Sequence, residues 1–109
     1  MAMDGKPKAA IKKYEKVIEL EPENSNAYAY WGAALAKLDD HSGAIEKLED
    51  ALKIMPNNSN VFSHLIGALV SQKKYTEAWE VVKKARKARV AISSKFLVKL
   101  SDLLLEPAL

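Results

Sequence analysis

An all-α fold, a short stack of about six antiparallel helices in hairpins, is predicted by three observations. The chain repeats itself at an offset of 34 residues: Pro22-Glu23-Asn24-Ser25-Asn26 falls on Pro56-Asn57-Asn58-Ser59-Asn60, and self-similarity at such a period marks a repeat architecture. Its apolar residues keep a helical spacing, as in Tyr28, Trp31, Leu35 and Leu38. It holds only four glycines and four prolines in 109 residues, too few for a turn-rich β-sandwich or a disordered chain.

The repeat continues without gaps. Tyr28 falls on Phe62, Trp31 on Leu65, Ala34-Leu35 on Ala68-Leu69, Ala44 on Ala78, Glu46 on Glu80 and Ala51 on Ala85. In the other direction Ala10, Ile11, Lys13 and Glu15 meet Ala44, Ile45, Lys47 and Glu49. Each unit reads as two helices, 26–38 and 42–54 in the first and 60–72 opening the second. Asp39-Asp40-His41 and Lys73-Lys74 are short polar turns, so successive helices are antiparallel neighbours. Pro56 cannot continue the preceding helix, and Asn58 or Ser59 can cap the next. Residues 93–105 read as a closing helix, with Ser93 or Ser94 as its cap and Phe96, Leu100, Leu103 and Leu104 on one stripe. Such helices cover the last unit of a stack.

The spacing Tyr28-x-x-Trp31-Gly32-x-x-Leu35, then Ala44-x-x-x-Leu48, then Pro56 resembles the tetratricopeptide repeat. Leu48 replaces the usual aromatic. The small residues Gly32, Ala44 and Ala51 stand where helices must approach closely, and Tyr28, Trp31, Leu35 and Leu48 fill the space between them. Residues 25–58 are the full repeat. Residues 59–92 are a weaker one, with Ile66 in the place of Gly32, Gly67 one position later, and Val90 where Pro56 stood. Residues 1–24 hold the second half of a truncated repeat, residues 93–109 a capping helix, and the whole is expected to be one continuous domain cut from a longer array. The resemblance implies a right-handed solenoid.

Several functions are set aside by composition. With no cysteine, disulfide frameworks, thiol chemistry and Cys-based zinc sites are excluded. His41 and His64 lie far apart in sequence with no ligand-spaced partner, so no metal is expected. No nucleophile elbow, phosphate loop or zinc-binding histidine motif occurs, and Glu19, Glu21 and Glu23 lack the burial that tunes a general acid. No enzyme activity and no cofactor are expected. No apolar run approaches the ~20 residues of a membrane span, and the absence of a leader makes a cytoplasmic location the expectation.

The resemblance implies a protein-interaction module, a scaffold or adaptor, whose first helices line a groove for a peptide or helix of another protein. The lining positions are Asn26, Ala29, Tyr30, Ala33, Ala36 and Lys37, then Asn60, Ser63, His64, Gly67, Val70 and Ser71. Some family members clamp a terminal carboxylate with Lys, Arg and Asn. Ala29, Ala33 and Gly67 stand at several such places, which argues against that clamp. Asn26 and Asn60 can hydrogen-bond a ligand's backbone, or can serve the local N–H groups of their helix starts. Tyr30 and His64 form an aromatic ledge or pack on the neighbouring helix.

Two further surfaces carry alternatives. Residues 57–109 hold 9 basic and 4 acidic side chains against 8 and 10 in residues 1–56. Much of that excess is the run Lys83-Lys84-x-Arg86-Lys87-x-Arg89. It is a patch for nucleic acid or an acidic surface, or the solvated face of a helix whose end favours cations. With no aromatic interleaved, nucleic acid is the less favoured reading. Arg86 aligns with the core-facing Ile18 and Leu52, and Trp79 with Ile11 and Ile45, so Trp79 is expected in the core. Leu97, Val98 and Leu105 fall off the closing helix's stripe, which makes homo-oligomer formation through terminal helices the principal alternative.

Overall fold

The structure, a computed structural model, describes residues 7–103 apart from the side chain of Phe96. Among the described residues it contains six helices and no strand: α1 (Pro7–Leu20), α2 (Ser25–Lys37), α3 (His41–Ile54), α4 (Ser59–Ser71), α5 (Tyr75–Lys87) and α6 (Ser94–Leu103). Each packs on the next, and α2 also lies against α4. That second contact turns a string of hairpins into a stack.

Helix starts are set by side chains. Pro7 opens α1, where its missing N–H costs nothing. Asn24 Oδ1 accepts from Ala27 N at 3.0 Å, Asp40 Oδ1 from Gly43 N at 2.9 Å and Asn58 Oδ1 from Asn60 N at 3.1 Å. Each bond occupies a donor that the first turn would leave unpaired. Helix ends are set by one backbone device used three times. Asp39, Lys73 and Arg89 adopt positive φ of 63°, 59° and 60°. The next amide then folds back: Asp40 N donates to Leu35 O, Lys74 N to Leu69 O and Val90 N to Ala85 O, at 2.8–2.9 Å. These are Schellman closures, and after Asp39 and Lys73 the next helix begins two residues on, at His41 and Tyr75.

The core runs through α2–α6. Leu48, Val61, Phe62, Ile66, Val82 and Leu100 are its largest fully buried side chains. Ala44, Ala51, Ala78 and Ala85 are buried completely, so the aligned small residues do mark close helix approaches. Gly32 is the tightest of these. A Cβ there would stand 2.8 Å from Leu48 Cγ and 3.0 Å from Ala44 O. In the second unit Ile66 takes the equivalent place opposite the smaller Val82, and both are buried.

Trp79 is buried as expected. Trp31 is only half-buried. Its ring stacks with Tyr28 at 8° and 6.2 Å between centroids, and Lys47 Nζ lies 4.2 Å from the Trp31 centroid. A cation seated on an indole face gains from the ring quadrupole, so Lys47 closes this side of the α2–α3 hairpin. Arg86 is exposed, and its counterparts Ile18 and Leu52 are half-buried. The position lies at the rim of the core, where an arginine stem can lie on apolar surface with its head in water.

On α6 the inward residues are Leu97, which packs against the core, and Leu100. Leu103, expected on the buried stripe, is 42% exposed. The helix is thus rotated from the predicted stripe. Leu104 and the Phe96 side chain, the other members of that stripe, lie outside what is described. No described helix is long and apolar enough to cross a membrane.

Candidate functional site: the groove between α2 and α4

Repetition at 34 residues brings equivalent faces of α2 and α4 side by side, and the valley between them is a groove of about 410 Å³. Ala33, Ala36 and Lys37 form the α2 wall, and Ser63, His64, Gly67, Ala68 and Ser71 the α4 wall. His41, the first residue of α3, closes one end. The small side chains leave the helix surfaces open to a ligand's backbone. At Gly67 an added Cβ would meet nothing within 4 Å, so the glycine forms a bay in the wall.

Of the predicted lining residues, Ala33, Ala36, Lys37, Ser63, His64, Gly67 and Ser71 come together here. Ala29 does not: it has no exposed surface and belongs to the core. A single methyl group there is read equally well as groove floor or helix contact, and the α2–α4 approach decides for the contact. Tyr30 is 43% exposed, outside the groove, with its ring 6.0 Å from that of Tyr14. Val70 packs against the core.

Asn26 and Asn60 have a third role that neither expectation described. Asn58 Nδ2 donates to Asn26 Oδ1 at 2.9 Å, and Asn60 Nδ2 approaches the same oxygen at 3.5 Å. Asn58 Nδ2 also donates to Ser25 Oγ at 2.9 Å, and Ser25 Oγ donates to Ala51 O at 2.8 Å. The helix starts are therefore laced to one another between units. The signal was present in the sequence as the Asn-Ser-Asn recurrence.

His41 was absent from the predicted lining, because the resemblance points to first helices and His41 opens a second one. The separation of the two histidines in sequence is closed by the fold: both face this groove. The His64 imidazole is held below its ordinary pKa of 6.5 by desolvation, even though its edge reaches solvent. His41 Nε2 stands 3.9 Å from Asp39 Oδ1, a carboxylate whose side chain is 95% exposed, and its Nδ1 is buried without a hydrogen-bond partner. Nearby, Gln72 Nε2 donates to Ser42 Oγ at 3.2 Å and ties the end of α4 to the start of α3.

The other sequence-flagged surfaces are placed as follows. Val98 is 60% exposed on α6, Leu97 is turned inward, and Leu105 lies outside the described residues. Leu97 is thus corrected from a free apolar residue to a core contact, because α6 must cover α5 with its nearest leucines. Lys83, Lys84, Lys87 and Arg89 are exposed along and just beyond α5. Among the described residues no group of three or more His, Cys, Asp or Glu is placed to hold a metal ion.

Comparison with known proteins agrees with this geometry. The Tetratricopeptide repeat family model matches residues 25–58, the unit formed by α2 and α3 with the turn that follows. No curated protein sequence matches the chain. Among solved structures the chain is similar to the TPR2B domain of yeast Sti1 in its complex with pHsp70. That match has 26% identity and a TM-score of 0.71, and it covers 88% of this chain and 78% of that one. Residues 25–58 thus carry a tetratricopeptide repeat, and over nearly its whole length the chain is similar in fold to a tetratricopeptide-repeat domain.

Proposed function

We propose that the chain is a protein-interaction module that holds an extended segment of a partner protein in the α2–α4 groove. The observation that carries this reading is the groove itself: small side chains on two helices held in fixed register by the Asn58–Ser25–Asn26 network. A surface ordered before binding loses little conformational entropy when it binds. The similar Sti1 domain, solved in complex with pHsp70, supports binding over catalysis as the use of such a fold. The test is selection of binders from a displayed peptide library, followed by challenge with Ala33→Arg and Gly67→Arg. Both substitutions place a long side chain in the groove, and each should abolish binding of the selected peptides. Peptides that bind the arginine variants as well as the parent would show that the groove is not the site.

A second reading is self-assembly. It rests on Val98 and Leu103, which lie 60% and 42% exposed on the terminal helix. Mass measured by light scattering over a concentration series decides it. A mass fixed near 12.1 kDa removes it, and a dimer that Val98→Asp dissociates establishes it.

A further inference from the structure

The groove gathers three basic side chains and no carboxylate. Lys37 comes from α2, His41 from α3 and His64 from α4. Asp39 is the nearest acidic group, 3.9 Å from His41 Nε2 on the turn. Its exposure makes that pair weak. Asp40, on the same turn, is engaged as the cap of α3. Lys37 is a fixed charge, whereas the histidines carry theirs only when protonated. Lys37 thus gives the groove a fixed positive charge and a protonated His64 adds to it, with no carboxylate in the lining to neutralise them.

Building on the groove reading above, we propose that its occupant is a stretch of partner chain bearing glutamate or aspartate side chains. Its binding is coupled to protonation of His64. The backbone of the segment lies along Ala33, Ala36 and Gly67, and its carboxylates meet the three basic groups at the rim. A carboxylate beside an imidazole favours the imidazolium and opposes the desolvation that disfavours it in the free protein. Coupling is reciprocal: a ligand that favours the proton is itself bound more tightly as protons are added. Carboxylate side chains, with pKa near 4, stay largely ionised while the His64 imidazole charges, so affinity rises as pH falls. Lys37 sets a basal attraction that does not vary with pH.

The experiment is an NMR titration of the protein with Gly/Ser-based peptides capped at both ends and carrying several Glu, or Gln at the same places, at pH 7.5, 6.5 and 5.5. A Glu peptide with a free C-terminus separates side-chain carboxylates from a terminal one. The capped Glu peptide should bind roughly fivefold more tightly at pH 5.5 than at 7.5, the gain expected when one imidazole takes up part of a proton. The Gln peptide should show no such gain. His64→Gln should flatten the profile, and Lys37→Ala should weaken binding by a similar factor at every pH. Circular dichroism of each variant confirms the fold. A flat profile, an unchanged slope in the His64→Gln variant, equal binding by the Gln peptide, or binding only with a free C-terminus each overturns the proposal. None of these touches the groove reading, which stands or falls on the arginine variants.

Discussion

Asn58 Nδ2 lies 2.9 Å from Ser25 Oγ, and both residues are buried where the starts of α4 and α2 meet. This pair pins one unit to the next. Asn58 also caps α4, so one side chain sets both where a helix begins and how it sits on its neighbour. Asn58→Ala removes a cap worth about 1 kcal/mol and strips a partner from buried polar groups, at a further cost of about 1–3 kcal/mol. Urea denaturation should show a loss of roughly 2–3 kcal/mol. Asn58→Ser keeps a capping oxygen but cannot reach both Ser25 and Asn26, and it should lose about half as much. Equal losses in the two variants would mean that the pin, not the cap, is what matters.

Two helical glycines, Gly32 and Gly67, should respond in opposite directions to the same substitution. Gly32→Ala places a methyl group 2.8 Å from Leu48 Cγ and 3.0 Å from a backbone oxygen. Overpacking costs about 1–3 kcal/mol, and the helix-propensity gain of up to about 1 kcal/mol offsets only part of it. Gly67→Ala meets open space and keeps the propensity gain. Thermal melts should place Gly32→Ala below the parent and Gly67→Ala above it. A stabilised Gly32→Ala would show that α2 and α3 have room to separate.

Much of this was legible in the sequence, and the losses have physical causes. The period of 34 fixed the number of helices, their pairing and the places of close approach, because small residues recur only where backbones meet. It also brought Ala33, Ser63, His64 and Gly67 to one groove. Ala29 was misplaced because a methyl group carries no polarity to say which face it serves. The rotation of α6 was misread because its leucines outnumber one face, and contact with α5 selects Leu97 and Leu100. His41 was missed because it joins the groove through the turn between two helices, whose path no periodicity describes.

Lys73 adopts φ 59° at the end of α4, a conformation that costs an L-residue with a Cβ on the order of 1 kcal/mol. Lys73 is exposed, and its backbone N–H already donates to Val70 O. Lys73→Gly should therefore stabilise the fold by about 0.5–1 kcal/mol, net of the entropy glycine adds to the unfolded chain. Lys73→Val, β-branched and averse to this region, should destabilise it. Chemical denaturation of the pair checks both signs, and a glycine variant weaker than the parent would mean that the lysine side chain contributes something its backbone strain conceals.

His64 makes the groove's histidine chemistry visible without any ligand. Desolvation lowers its folded-state pKa below 6.5, so below that value the unfolded chain binds the proton more readily than the native one. Stability therefore increases with pH wherever the unfolded state holds the extra proton. The contribution of His64 is complete above pH 6.5 and is lost as pH falls through its folded pKa. His64→Gln removes this one titration and leaves the others in place, so the parent-minus-variant stability should decline from pH 7.5 to 5. The drop is measured by denaturation at each pH, and NMR titration of the His64 imidazole gives its folded pKa independently. If the difference is flat and the imidazole titrates at or above 6.5, water reaches the ring freely and the groove wall around α4 is more open than its packing indicates. If the decline appears and a saturating Glu-bearing peptide abolishes it, the same proton that weakens the free fold is the one the bound segment retains.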